Sequence, residues 1–302
     1  MTRPALLCSL LSSDSSAVLA LGQELHRARL DVRAHRWDST ETTLAGVLTA
    51  LAAPDCVMWC VAGPARAFED ARTRRMLTLA ALGAQAARGR DFPIMLLPAG
   101  GRPMRLPEPL ADAGIADKGA AGKILARLHS APALPARPWR LNVHCPQGMG
   151  IWLEIGPAAG AWHGALCGLL GADSLGAQVR PLAHMVGPAG GLPAQSTLEC
   201  PLNNIPLPTA QGVFAAWGAG NTLTPDCSYY VQVSAPPQML LFGPLPRHGE
   251  AELTALHLET GDAAPAAAPE KSAGRQGKAF LQERLTYRHK KCGAPAAGSQ
   301  RS

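Results

Sequence analysis

Hydrophobic and polar positions come in alternating blocks over the first 130 residues. Near-continuous apolar runs at 5–11 (ALLCSLL), 56–62 (CVMWCVA) and 93–97 (PIMLL) read as strands, and 32–37 reads as another between the first two. The stretches between them, 17–29, 43–52 and 67–88, carry apolar residues at helical spacing. Strands that are apolar along their whole length are buried on both faces, and strands joined by helices run parallel. The pattern therefore predicts an α/β unit, a parallel sheet covered by helices on both faces.

The pattern changes after residue 130. The proline-rich stretch SAPALPARP (130–138) marks a boundary. Beyond it, short apolar runs at 139–145, 150–155, 213–217, 229–234 and 239–242 are separated by recurrent Gly and Pro, the spacing of an all-β sandwich. From residue 261 the chain reads GDAAPAAAPE and then turns basic, the composition of a disordered tail, with a short helix expected at 278–290. The expected organisation is an α/β domain at 1–131, a linker at 132–138, a β-sandwich at 139–260 and a disordered basic tail at 261–302.

Composition adds three constraints. The apolar fraction of 47% is ample for cores, and only 5% of residues are aromatic, so Ala, Leu and Val must fill them. The formal charge of +6 is uneven: residues 261–302 hold eight Lys or Arg against three Asp or Glu, a net of +5, which leaves +1 for the rest. A nearly neutral body gives no general field for nucleic acid, and only the tail offers a weak attraction for anionic partners. The eight cysteines form no CxxC pair, and Cys8, Cys56 and Cys60 fall in or beside predicted strands, so the chain reads as reduced and cytoplasmic. No apolar run approaches the roughly 20 residues that span a bilayer, and no A-x-A site follows the run at 5–11.

In open parallel sheets, ligands bind beyond the carboxyl ends of the strands. The residues expected there are Ser12, Ser13 and Asp14 after the first strand, Trp37 and Asp38 after the second, and Arg66 with Glu69 and Asp70 after the third. Residues 98–101 follow the fourth. Ser12, Asp14, Trp37, Asp38 and Arg66 form a polar crescent with one aromatic plate. Glu69 and Asp70 can equally be first-turn acids favoured by a helix dipole. No Gly-rich turn opens a helix after the first three strands, so a phosphate loop has little support.

The same residues carry a resemblance. A Ser/Asp loop after the first strand, a second strand ending in Trp37 and Asp38, the strand CVMWCVA, the strand FPIMLLP (92–98) and the ending LADAGIADKGAAGKILARL (110–128) with Asp117 resemble a TIR domain, which has a flavodoxin-like fold. The resemblance implies either NAD(+) cleavage or signalling by self-assembly, and so NAD as a ligand or substrate. NAD-cleaving members place a glutamate in the helix after the third strand, within a Ser-x-Trp-Cys-x-x-Glu run. This chain reads GPARAFEDARTRRML (63–77) there, without the Trp-Cys pair, and the glutamate position falls near Arg74 and Arg75. Glu69, about a turn early, is the nearest candidate for the carboxylate that steadies an oxocarbenium-like centre.

In the second half, LTPDCSYYVQVSA (223–235) is similar to the E–F corner and F strand of fibronectin type III and related immunoglobulin-like sandwiches, with Cys227 where Thr is usual. The resemblance implies a tyrosine corner at Tyr229 and an interaction or spacer role. The remaining candidates read as structural. Cys56 and Cys60 are about 13 Å apart on one strand, too far to share an ion. Arg72, Arg74 and Arg75 read as a solvated helix face. His144, His163 and His184 lack zinc spacing, and no nucleophile, Walker or Rossmann signature is present. The functional expectation is a bacterial signalling or assembly module that has lost catalysis, acting through a protein partner or self-association. The alternative is an NAD(+) or nucleotide N-glycosidic-bond hydrolase.

Overall fold

A computed structural model describes residues 3–14, 16–100, 106–130, 133–246 and 252–260. The tail at 261–302, with its expected helix, and Gly101 lie outside the described residues. The first half contains β1 (Ala5–Leu10), α1 (Ser16–Arg27), β2 (Asp31–Arg36), α2 (Glu41–Ala52), β3 (Cys56–Pro64), α3 (Ala71–Arg88), β4 (Ile94–Ala99), α4 (Glu108–Ala111), β5 (Gly114–Ile115) and α5 (Ala120–His129). The strands form one parallel sheet in the order β2-β1-β3-β4-β5. Alternation sends Leu6, Cys8, Met58, Cys60 and Met95 to one face, where Val18, Leu21 and Leu25 of α1 and Ile124 of α5 cover them. Leu7, Trp59, Val61 and Leu96 point the other way, onto Leu44, Val47 and Leu51 of α2 and the apolar residues of α3.

The second half contains β6 (Trp139–His144), β7 (Ile151–Pro157), β8 (Trp162–Leu170), β9 (Pro181–Pro188), β10 (Leu202–Thr209), β11 (Gly212–Leu223), β12 (Cys227–Val233), β13 (Met239–Pro244) and β14 (Thr254–His257). They build two antiparallel sheets, β6-β7-β12-β9 and β10-β11-β8-β13-β14. The sheets face each other through Leu141, Leu153, Ile155, Tyr229 and Val231 on one side and Ala165, Cys167, Leu169, Leu240 and Phe242 on the other. Pro206 and Pro208 lie on β10, an edge strand, where a missing N–H is tolerated.

Helix α3 ties the halves together. Asp70 caps its start by accepting from Thr73 N at 2.7 Å, and Gly89, at φ 99°, ends it. Ten of its eighteen residues are buried, too many for a helix with one wet face. It packs on the first sheet and α2 on one side and against β6 on the other. β6 and β14 are the outermost strands of the two antiparallel sheets, and α3 runs along the side where those edges meet. Thr78 Oγ1 donates to Leu258 O at 3.0 Å, Arg74 Nη1 to Glu259 O at 3.2 Å, and Arg75 Nη2 pairs with Glu259 Oε2 at 2.8 Å, all just past β14. Arg75 also donates to Ala172 O at 2.9 Å.

This arrangement corrects the reading of Arg72, Arg74 and Arg75 as a solvated face. Arg74 is only 7% exposed, and its guanidinium is held there by two carbonyls, one from each half: Nε donates to Phe68 O and Nη1 to Glu259 O. The stretch between the halves is also held down. Arg137 pairs with Glu108 at 2.8 Å, donates to Gln85 Oε1 at 3.1 Å and lies over the Trp139 ring at 4.7 Å, while Arg90 donates to Pro135 O at 2.6 Å. One apolar cluster runs without a break through α2, α3 and both antiparallel sheets. Among the described residues, no helix is long and apolar enough to cross a membrane.

Candidate functional site

The carboxyl ends of the parallel strands form the rim where the sequence placed its candidates. Ser12 and Asp14 lie in the loop after β1. Asp14 Oδ1 accepts from Ser16 N at 2.9 Å and Ser16 Oγ at 2.7 Å, and these bonds hold its carboxyl below the usual range. Ser12 Oγ donates to Asp14 O at 3.4 Å. Asp38 accepts from Thr43 Oγ1, from Thr40 Oγ1 at 2.7 Å and from Thr40 N at 3.1 Å, and these hydroxyls lower its carboxyl too. Asp70 caps α3. Each rim aspartate is thus engaged in starting the helix that follows it.

Trp37 is not the exposed plate expected for stacking a ligand. It is 5% exposed, its Nε1 donates to Ser39 Oγ at 2.9 Å, and its ring packs at 6.2 Å from that of Trp59. The ring turns inward because Ser39 supplies a partner for the indole N–H beneath α3, where Thr73 Oγ1 and Ser39 Oγ are 3.2 Å apart. Arg66 and Glu69 are exposed on and just after the short 3-10 turn Ala65–Phe68. Among the described residues, neither side chain has a hydrogen-bond or ion-pair partner. The strand ends therefore place Ser12, Asp14, Asp38, Arg66 and Glu69 at one end of the sheet.

Beneath the rim lies a relay that sequence reading missed. Ser9 of β1 and His35 of β2 are register partners, with Oγ and Nε2 2.7 Å apart, and Trp59 Nε1 donates to Ser9 Oγ at 2.9 Å. His35 Nδ1 faces the Arg36 carbonyl at 3.1 Å, so that nitrogen carries the proton and Nε2 accepts from Ser9. Burial lowers the His35 pKa, which favours the neutral ring. The bond runs in the direction of a serine activated by a base, but Ser9 is 0% exposed, so no substrate reaches it. The relay acts as a polar tie across three strands. Its members are 26 and 50 positions from Ser9, a separation that leaves no local signature.

The most strongly charged interior group is on the outer face of the sheet β6-β7-β12-β9. Glu154 of β7 is 2% exposed. Its carboxylate accepts from His144 Nε2 at 2.6 Å, Ser228 Oγ at 2.8 Å, Gly190 N at 2.8 Å, Asn142 Nδ2 at 3.4 Å and Arg140 Nη1 at 3.5 Å. Burial opposes its ionisation, but the bonds from His144, Gly190 N and Ser228, with the charge of His144, outweigh that and pull its pKa down to about 2. Tyr230 donates to Pro188 O beside it. Three strands and the loop after β9 are thereby clamped at one carboxylate. Strand alternation puts 142, 144, 154, 228 and 230 on one face, a signal legible only once the strand pairing is known.

Strand alternation also decides the tyrosine corner. Tyr229 points between the two sheets, with its hydroxyl 2.8 Å from His184 Nδ1, and burial raises its pKa well above normal. The tyrosine that bonds back to the backbone is Tyr230, one position on and facing outward. The corner expected at Tyr229 is therefore a cross-strand pair to His184, a ring that also packs 4.8 Å from Trp217. Among the described residues, no group of three or more His, Cys, Asp or Glu is arranged to hold a metal ion.

No family model and no curated protein matches this chain. Among solved structures, a fragment described as a lipoprotein from Peptoclostridium difficile 630 aligns over 42% of this chain and 100% of its own length, at 12% identity and a TM-score of 0.29.

Proposed function

We propose that this chain is a non-catalytic interaction module, with a TIR-like, flavodoxin-like first half, a sandwich second half and a role in signalling or assembly through a protein partner or self-association. The strand order β2-β1-β3-β4-β5 is the one used by flavodoxin-like sheets, which supports the architecture. The observation that carries the functional reading is the fate of the acids and of α3. Asp14, Asp38 and Asp70 are each tied to a helix start, and the helix position where the TIR resemblance expects a glutamate holds Arg74 and Arg75, locked onto the second half. Cys8, Cys56, Cys60, Cys145 and Cys167 are buried thiols outside any disulfide, which supports a reducing, cytoplasmic setting.

The second reading, NAD(+) nucleosidase activity, has one observation in its favour: Glu69 is an exposed carboxylate at the rim with no partner among the described residues. The two readings separate in one assay. Purified protein incubated with NAD(+) releases no nicotinamide above a buffer blank, while light scattering across a concentration series reports higher-order species. Nicotinamide release that disappears in Glu69→Ala overturns the proposal in favour of the hydrolase.

A further inference from the structure

Strand β2 ends the parallel sheet and pairs with β1 alone. Its register with β1 is unbroken over all six residues, and it holds no proline. Asp31 N donates to Pro4 O and Trp37 N to Leu10 O, so the odd-numbered positions turn their backbone groups toward β1. Alternation turns those of Val32, Ala34 and Arg36 outward, away from the sheet. The Arg36 carbonyl meets the His35 ring, and among the described residues the other outward groups have no partner. Ala34, near the middle of the strand, is exposed and small enough for a second backbone to approach.

The other sheet edges are guarded. β5 has two residues and β14 four. β10 carries Pro206 and Pro208, β9 starts and ends in proline and shifts register against β12, and β6 lies against α3. An open edge is a template for another chain. β2 lacks those guards and carries charge largely of one sign. Residues 26–36 hold four arginines against one aspartate, a net of +3, in a body (1–260) that sums to +1. Asp31 pairs with Arg3 and His26, and Arg33 with Asp55. Arg27 and Arg29, where the chain leaves α1 for β2, and Arg36, at the end of β2, are exposed. Among the described residues, their side chains have no hydrogen-bond or ion-pair partner.

We propose that β2 takes up an extended acidic segment of a partner protein as a sixth strand of the sheet. The segment's backbone bonds to Val32 and Ala34, and its carboxylates meet Arg27, Arg29 and Arg36. Arg33 and Arg36 stand on opposite faces of the sheet. Acids at successive positions of the incoming strand therefore meet a guanidinium on both faces. This proposal rests on the interaction role argued above and names the chemistry of the partner.

The test titrates the full chain into fluorescein-labelled Thr-Val-Glu-Glu-Val-Thr and follows anisotropy at low and high salt. The expected result is saturable binding that fades with salt. Methylating alternate backbone nitrogens of the peptide keeps its charge. The phase that faces β2 should weaken binding by about tenfold, the worth of one or two backbone bonds, and the other phase should not. Ala34→Pro removes an N–H that β1 does not use and should weaken binding similarly, at unchanged far-UV circular dichroism. The methylated peptides put the same question to the unaltered chain. Absence of binding would overturn the proposal. So would binding indifferent to both methylation phases, which would place the peptide on the basic tail. Displacement of the peptide by oligouridylate at equal charge would instead make the arginines a nucleic-acid contact. None of these outcomes touches the nicotinamide and light-scattering results, on which the interaction role itself stands.

Discussion

Replacing Glu154 by Gln should destabilise the protein strongly at neutral pH and hardly at all in acid. The carboxylate is 2% exposed and bonded by His144, Ser228, Gly190 N, Asn142 and Arg140. Its pKa is about 2 in the folded state, against about 4.3 for an unfolded glutamate. That difference corresponds to roughly 3 kcal/mol. The folded value is the depressed one, so this stability is fully present above about pH 5 and fades as the pH falls from the unfolded value toward 2. Gln keeps the shape but carries an NH2 where His144 Nε2 also presents a proton. Losing one partner of a buried ion pair costs on the order of 3 kcal/mol by a second route. Urea unfolding followed by tryptophan fluorescence should therefore give a midpoint for Glu154→Gln well below wild type at pH 7, with the gap narrowing steadily between about pH 5 and pH 2. Equal midpoints at neutral pH, or a gap that stays constant with pH, would refute the reasoning.

Two further outcomes follow from the same contacts. Tyr229→Phe removes the hydroxyl bonded to His184 and should cost about 1 kcal/mol, up to about 2 to the extent that the half-buried ring nitrogen is left without a partner; calorimetric melting of both proteins measures it, and an unchanged Tm would deny the pair any energetic role. Arg75→Ala removes the pairing with Glu259 and the bond to Ala172 O. It should cost about 2 kcal/mol and speed hydrogen exchange in both α3 and 254–259, whereas faster exchange in one element alone would show that the junction is not held there.

The parallel sheet was legible in the chain because burial on both faces forces nearly every strand residue to be apolar, and CVMWCVA and PIMLL satisfy that condition whatever surrounds them. The two-part organisation was legible as well, since strands and turns replace helices after residue 130. The chemistry at the rim was only half legible. Sequence order places Asp14, Asp38 and Asp70 at strand ends, but a carboxylate at a helix start reads the same whether it caps the helix or meets a ligand. The three-dimensional bonds to Ser16, Thr40 and Thr73 show that each carboxylate engages a helix start.

Tertiary structure alone decided the rest, because it depends on pairs far apart in the chain. Glu154 becomes a buried, ionised anchor only when β6, β7 and β12 align in register and the loop after β9 closes over it. Arg74 and Arg75 look like any solvated basic stretch until a chain segment 185 and 184 positions later brings Glu259 to them. Trp37 reads as an exposed plate until Ser39 and Trp59 draw its ring inward, and the tyrosine bonded to the backbone is Tyr230 rather than Tyr229 because β12 alternates. Local pattern determines which residues must be buried. Which polar group meets which is set by strand register and by the packing of α3 between the halves, and neither is written in any short stretch of sequence.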